Sequence, residues 1–156
     1  MKYIPLTKGR NAIIDDEDFE RVNAFSWYWV PKKRSELGYA VRKPRTGVIS
    51  MSRFIVDAPK DKQVDHINGN SLDNRKVNLR LCTQTQNNGN FFIGVRNKSG
   101  YKGVSWHKAT NKWRATLMRK IGQKYLGLFT NPKEAARAYD KAAREYFGEF
   151  ARLNNV

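Results

Sequence analysis

The sequence predicts an α+β chain in which a region of short N-terminal strands leads into a strand–loop–strand–helix segment. A three-stranded antiparallel sheet packed on one C-terminal helix is expected to follow. Three features carry this expectation. Apolar and polar residues alternate in short runs broken by Gly, Pro and charged turns, the mark of half-buried strands. A polar loop rich in Asn, Gly and Asp separates two such runs between Val64 and Leu81. After Asn131-Pro132 the apolar period changes from two to that of a helix.

Residues 1–60 contain five candidate strands, IPL, AIID, SWYWV, YAVRK and ISMSRFIV, with room for one short helix between Asp15 and Phe25. In residues 64–90, Val64 ends one strand and Val77 to Leu81 form the next. Thr83 and Gln86 fit a capping box, which places Asn87 in the first turns of a helix. Residues 91–100 are rich in Gly, Asn and Ser and read as a connector, part of it packed down by Phe91, Phe92 and Ile93. GVSWHK, KWRATLM and KYLGLF then give three strands with turns at Thr110-Asn111 and Ile121-Gly122. Asn131 caps the last helix, Pro132 takes its first position and Gly148 follows its end at Phe147. Ala135, Ala136, Ala138, Tyr139, Ala142, Ala143, Tyr146 and Phe147 form its apolar stripe, whose alanines let it lie close to a sheet.

The 156 residues hold 30 Lys and Arg against 14 Asp and Glu, a formal net charge of +16. An excess of that size favours a polyanionic partner, most commonly nucleic acid. Hydrophobic residues at 40% are too many for a disordered basic tail. The one cysteine, Cys82, excludes an internal disulfide framework and a thiolate zinc site, and suits a reducing compartment. No apolar run approaches the ~20 residues of a membrane span, and MKYIPLTKGR lacks a signal-peptide core, so no membrane partner is expected. Residues 101–156 carry 12 basic and 4 acidic groups, a net +8, which makes them the strongest electrostatic anchor.

Residues 64–90 hold the chemistry. Metal-assisted phosphodiester cleavage needs oxygen ligands for a hard cation, a base for water and charge relief at the leaving oxygen. Asp65 and Asn87 can supply the oxygens. His66, with an ordinary pKa near ~6.5, suits a general base. Asn78 could hydrogen-bond the loop, or the imidazole to hold its working tautomer. Singly, each residue has an ordinary explanation: an Asp-His pair on a surface, or Asn and Gly in turns and caps. Their combination does not.

The segment resembles the HNH, or ββα-metal, nucleases, in particular the homing-type endonucleases of phages and mobile introns. Asp65-His66-Ile67-Asn68-Gly69-Asn70, Leu72-Asp73-Asn74-Arg75, Asn78-Leu79-Arg80, Thr83 and Gln86-Asn87 carry the resemblance. It implies that His66 is the base, that Asp65 and Asn87 bind a divalent metal, Mg²⁺ or Mn²⁺, and that Asn78 steadies the motif. One position departs: Ser52 stands before Arg53-Phe54, where relatives often carry His.

Alternation along KWRATLM puts Trp113, Ala115 and Leu117 on one face, for the helix, and Arg114, Thr116 and Met118 on the other. The open face is expected to present Lys102, Ser105, His107, Arg114, Thr116, Gln123 and Tyr125 to the DNA major groove. This segment resembles the ethylene-responsive-factor (APETALA-type) DNA-binding domain through Tyr101-Lys102-Gly103-Val104, Trp113, Tyr125-Leu126-Gly127, Phe129, Glu134-Ala135-Ala136, Ala138-Tyr139-Asp140, Ala142-Ala143, Phe147-Gly148 and Leu153-Asn154. That family binds the major groove through its sheet. Ser105 and Met118 replace contacting arginines of the plant members, so their target sequence does not transfer.

The chain is therefore expected to be a metal-dependent endonuclease: residues 1–90 a nuclease domain, 91–100 a connector, and 101–156 a DNA-binding domain. Double-stranded DNA is its expected partner. It is expected to act as a monomer, without a small-molecule cofactor, in the cytoplasm of a bacterial cell or phage-infected host. The alternative is a non-catalytic DNA-binding regulator that keeps a relic HNH fold.

Overall fold

The computed structural model describes residues 1–32, 38–91 and 97–156. The chain forms two compact units, Met1–Thr83 and Gln84–Val156. The architecture is mixed: several small antiparallel sheets and a long C-terminal helix. Of the expected connector, residues 92–96, including Phe92 and Ile93, lie outside the described residues.

In the first unit, β1 (Lys2–Pro5) and β2 (Asn11–Ile14) form a hairpin, followed by a 3₁₀ turn and the short helix α1 (Phe19–Asn23). A three-stranded sheet comes next: β3 (Tyr28–Pro31), β4 (Gly38–Arg42) and β5 (Ile49–Ser50). The expected strand over ISMSRFIV stops at Ser50, because Met51–Ile55 coil into a helix, α2. Met51 and Ile55, four residues apart, are both buried, the spacing of one helical face. The Arg53 guanidinium donates to the carbonyls of Ala58, Pro59 and Lys62, stapling the turn between α2 and the next strand.

β6 (Gln63–His66) and β7 (Leu79–Cys82) close the unit as an antiparallel pair, Asp65 opposite Arg80 and His66 opposite Leu79. The expected second strand starts two residues late, since Lys76–Asn78 form a 3₁₀ turn. One core joins these pieces: Ile4, Ala12, Ile14, Val22, Trp27, Ala40, Met51, Ile55 and Leu79 are buried together, with Val64 and Leu72 packed against them. Ile14 and Met51 are fully buried, each contributing roughly 2 kcal/mol of apolar burial. The pair β6–β7 thus stands on the N-terminal hairpin's core through Val64 and Leu79.

The second unit begins with the helix α3 (Gln84–Gly89). β8 (Val104–His107), β9 (Lys112–Arg119) and β10 (Gly122–Phe129) form an antiparallel sheet in the order β10-β9-β8. A bulge falls between Tyr125 and Gly127. Helix α4 (Pro132–Phe147) starts where Asn131 Oδ1 accepts from Lys133 N and ends at Gly148, φ +56°. Val104, Ala115, Ala135 and Ala136 form the core between sheet and helix. Gly89 abuts the Phe147 ring, which seats α3 on α4. No helix of the described residues is long and apolar enough to cross a membrane.

Candidate functional site

The loop from His66 to Asn78 is fastened at several points. The Ile13 amide donates to the Leu72 carbonyl at 2.7 Å and the Ile13 carbonyl accepts from the Asn74 amide at 2.7 Å. Ser71 Oγ donates to the Gly38 carbonyl, and Asp15 Oδ2 accepts from the Lys76 amide. The Lys76 ammonium pairs with Glu17 and Asp18, so the acidic run after β2 serves as a clamp on the loop. Asn78 is buried inside it: Oδ1 accepts from the Asn68 amide at 2.9 Å and Nδ2 donates to the Asp73 carbonyl at 2.7 Å. Of the two parts open to Asn78, the structure gives it the loop.

The ring of His66 meets a different residue, Asn74, whose Oδ1 lies 3.2 Å from Nε2. Sequence reasoning named Asn74 in the motif but gave it no task. His66 is 9% exposed and Asn74 1%. Burial pushes the His66 pKa below its ordinary value; the Asn74 contact and the charges of Asp65 and Asp73 act against that shift. The neutral ring, the form able to take a proton, is therefore favoured near neutrality. Arg75 grips both oxygens of buried Asp73 at 2.7 Å and holds its carboxyl below the usual carboxylate range. Arg80 donates across the strand pair to Asp65 Oδ2, at 2.9 Å from Nε and 2.8 Å from Nη2.

Asp65, His66, Asn74 and Asn78 are thus gathered on β6 and one loop. Asn87 lies on α3 in the second unit. Among the described residues no cluster of three or more His, Cys, Asp or Glu side chains is arranged to hold a metal. A carboxylate and an amide oxygen remain a suitable donor set for a hard divalent cation that keeps much of its water. Ser52, at the departing position, is buried on α2 with its Oγ 3.3 Å from that of Ser50.

In the C-terminal sheet, register sets the open face. Ser105 pairs with Arg114, His107 with Lys112, Thr116 with Tyr125, and Met118 with Gln123. Paired residues share a side, so Ser105, His107, Arg114, Thr116, Gln123 and Tyr125 line one face. Gln123 Nε2 donates to Thr116 Oγ1 on it, and His107 Nδ1 meets Thr110 Oγ1. Arg114 Nε is buried without a hydrogen-bond partner among the described residues. Lys112 belongs to this face too and was missed; its signal was the tight turn that sets it opposite His107. Lys102 departs from the expectation. Its half-buried ammonium donates to the Gly89 carbonyl at 2.6 Å, in a groove of about 290 Å³ shared with Tyr139 and Phe147 of α4. Burial first, then Arg152, lower its pKa to about 8.

Known proteins match the chain along the same lines. A protein of Acanthamoeba polyphaga mimivirus, described as an uncharacterized HNH endonuclease, is 30% identical over 155 residues, 96% of this chain and 77% of its own. The chain belongs to the HNH endonuclease family. The family model for HNH endonucleases matches residues 57–89, the segment of β6, the loop, β7 and α3, and the AP2 domain model matches residues 99–149. Protein 3.8 of Escherichia phage T7 is 35% identical over 95 residues, 61% of this chain and 78% of its own. The ethylene-responsive transcription factor WRI1 of Arabidopsis thaliana is 44% identical over 61 residues, 38% of this chain and 14% of its own. This HNH endonuclease is therefore an enzyme, a nuclease joined to a DNA-binding AP2 domain, and the regulator reading gives way. HNH endonucleases generally use a divalent metal ion.

Proposed function

We propose that the protein is a metal-dependent, homing-type DNA endonuclease that hydrolyses phosphodiester bonds of duplex DNA with His66 as general base. One observation carries the reading: a buried imidazole, kept toward its neutral form, stands beside Asp65 where β6 enters a loop fastened at several points. His66 takes a proton from water, whose oxygen attacks phosphorus as the bond to the 3′ oxygen breaks. Asn78 holds the loop that carries the ring. Asp65 and Asn87 would hold the metal; the resemblance to the ββα-metal nucleases supports this assignment. The metal, Mg²⁺ or Mn²⁺, supplies charge relief at the scissile phosphate when bound. The open face of the C-terminal sheet, Ser105, His107, Arg114, Thr116, Gln123 and Tyr125, holds the duplex in its major groove, within the part of the chain that carries the net +8. With one motif per chain, a monomer would nick one strand, and cutting both strands would need a dimer or two successive events.

A supercoiled-plasmid assay tests this. Wild type with Mg²⁺ or Mn²⁺ is expected to relax plasmid, EDTA to stop it, and His66→Ala to lose at least ~10²-fold in rate while still binding DNA. Cleavage by His66→Ala at the wild-type rate overturns the assignment.

A further inference from the structure

We propose that Asn74 is the positioning residue that sets the tautomer of His66, so that the ring carries its hydrogen on Nε2 and its basic lone pair on Nδ1. This rests on reading His66 as the base, and it adds which nitrogen works and what selects it. A neutral imidazole has one donor and one acceptor nitrogen, and the partner of one decides the role of the other. Nε2 faces the amide oxygen of Asn74 at 3.2 Å. An amide oxygen only accepts, so the nitrogen in front of it donates.

Two further observations make Asn74 a purposeful partner. Its backbone is held by β2: the Asn74 amide donates to Ile13, Ile13 donates to Leu72, and Ile13 and Asp73 form a parallel bridge. Ala12 and Ile14 on either side of Ile13 are fully buried, so this anchor is rigid. The Asn74 Nδ2 atom, in contrast, is buried with no hydrogen-bond partner among the described residues. A buried donor without a protein partner is costly, so the hydrogen bonds of Nδ2 do not account for this placement of the amide. The useful end of this amide is its oxygen. A reversed amide, with Nδ2 toward the ring, would select the opposite tautomer, and the two are separable by spectroscopy.

His66 and His107 are the two histidines of the chain, so long-range ¹H–¹⁵N spectra of full-length protein labelled at histidine resolve both, with His66→Gln giving the assignment. In metal-free alkaline buffer, wild-type His66 is expected as the Nε2–H tautomer. Asn74→Asp keeps that tautomer, because a carboxylate oxygen still accepts, and Asn74→Leu loses the preference, with His107 unchanged as reference. With Mg²⁺ and duplex DNA, Asn74→Leu is expected to lower kcat ~10-fold or more at unchanged KM. A wild-type Nδ1–H spectrum overturns the proposal, and so does an Asn74→Leu spectrum identical to wild type. If Asn74→Leu does not fold, the wild-type and Asn74→Asp spectra decide. Wild-type cleavage by His66→Ala would sink the base assignment and leave the tautomer result standing, which separates the two failures.

Discussion

Replacing Asn78 by alanine should loosen the loop between β6 and β7 rather than release the ring. The buried amide makes two hydrogen bonds, accepting from the Asn68 amide and donating to the Asp73 carbonyl. Alanine leaves both backbone groups without these partners. The part-buried Asn68 N–H can recover water, a loss of about 1 kcal/mol, whereas the more deeply placed Asp73 carbonyl costs about 2 kcal/mol. The sum, about 3 kcal/mol, is a large share of what an ordinary domain has in hand. Asn78→Asp should do no better, since it keeps the acceptor but turns a carboxylate oxygen toward the Asp73 carbonyl. With the Ile67 amide donating to the Asn78 carbonyl, the next bonded pair of the antiparallel ladder is Asp65 with Arg80, so native-state hydrogen exchange of those two amides reads the stability of the strand pair, and the amides of Ile67 and Asn68 read the loop. Loss of protection at all of these is expected in both variants. An Asn78→Ala protein within about 0.5 kcal/mol of wild type, with Ile67 and Asn68 as protected as before, would refute the assignment.

Three other outcomes are expected. Lys102, with its pKa lowered to about 8, releases its proton in the folded chain well before the unfolded one does. The unfolded state then binds more protons, so stability of the second unit should rise as pH climbs from about 8 toward 10. Thermal melts across that range should show the rise in wild type and not in Lys102→Met; parallel curves would contradict it. Arg114→Ala and Lys112→Ala should each weaken duplex binding by roughly 1 kcal/mol or more, while Lys102→Met leaves the salt dependence as it is. Fluorescence anisotropy over a salt series separates them, and an equal effect of all three would count against the face assigned by register. Gly103→Ala should lower the melting temperature of the second unit, because φ is +76° there and a Cβ would run into the Tyr139 ring and the Thr116 carbonyl. A cost of about 1–3 kcal/mol is expected, and an unchanged melt would refute it.

The C-terminal unit was readable because each signal there is local. Alternation along Lys112–Arg119 assigns the two faces, and Asn131-Pro132 and Gly148 mark the helix ends. The stretch at Met51–Ile55 was not, since five residues are too few to separate a helical spacing from a strand run; burial of Met51 with Ile55 decides it. In the site, the types of Asp65 and His66 were legible, but the partners were not. Asn78 was expected on a strand and sits on the 3₁₀ turn before it, which aims its side chain back into the loop. Asn74 escaped because its placement depends on Ile13, about sixty residues earlier. Lys102 was misjudged for a similar reason: the carbonyl that draws its ammonium inward belongs to Gly89, on another element.

The backbone bridge from Ile13 to Leu72 and Asn74 limits how portable the motif is. A fragment starting at residue 57 would contain every letter that the HNH family model matches, yet it would lack β2, the strand that fixes the loop behind the imidazole. Such contacts between distant parts of a chain form late and at an entropic cost, because the intervening loop must close first. Moving the fastened loop and its imidazole to another scaffold therefore means moving two separated pieces, residues 11–18 with their clamp of Ile13, Asp15, Glu17 and Asp18, together with residues 63–82.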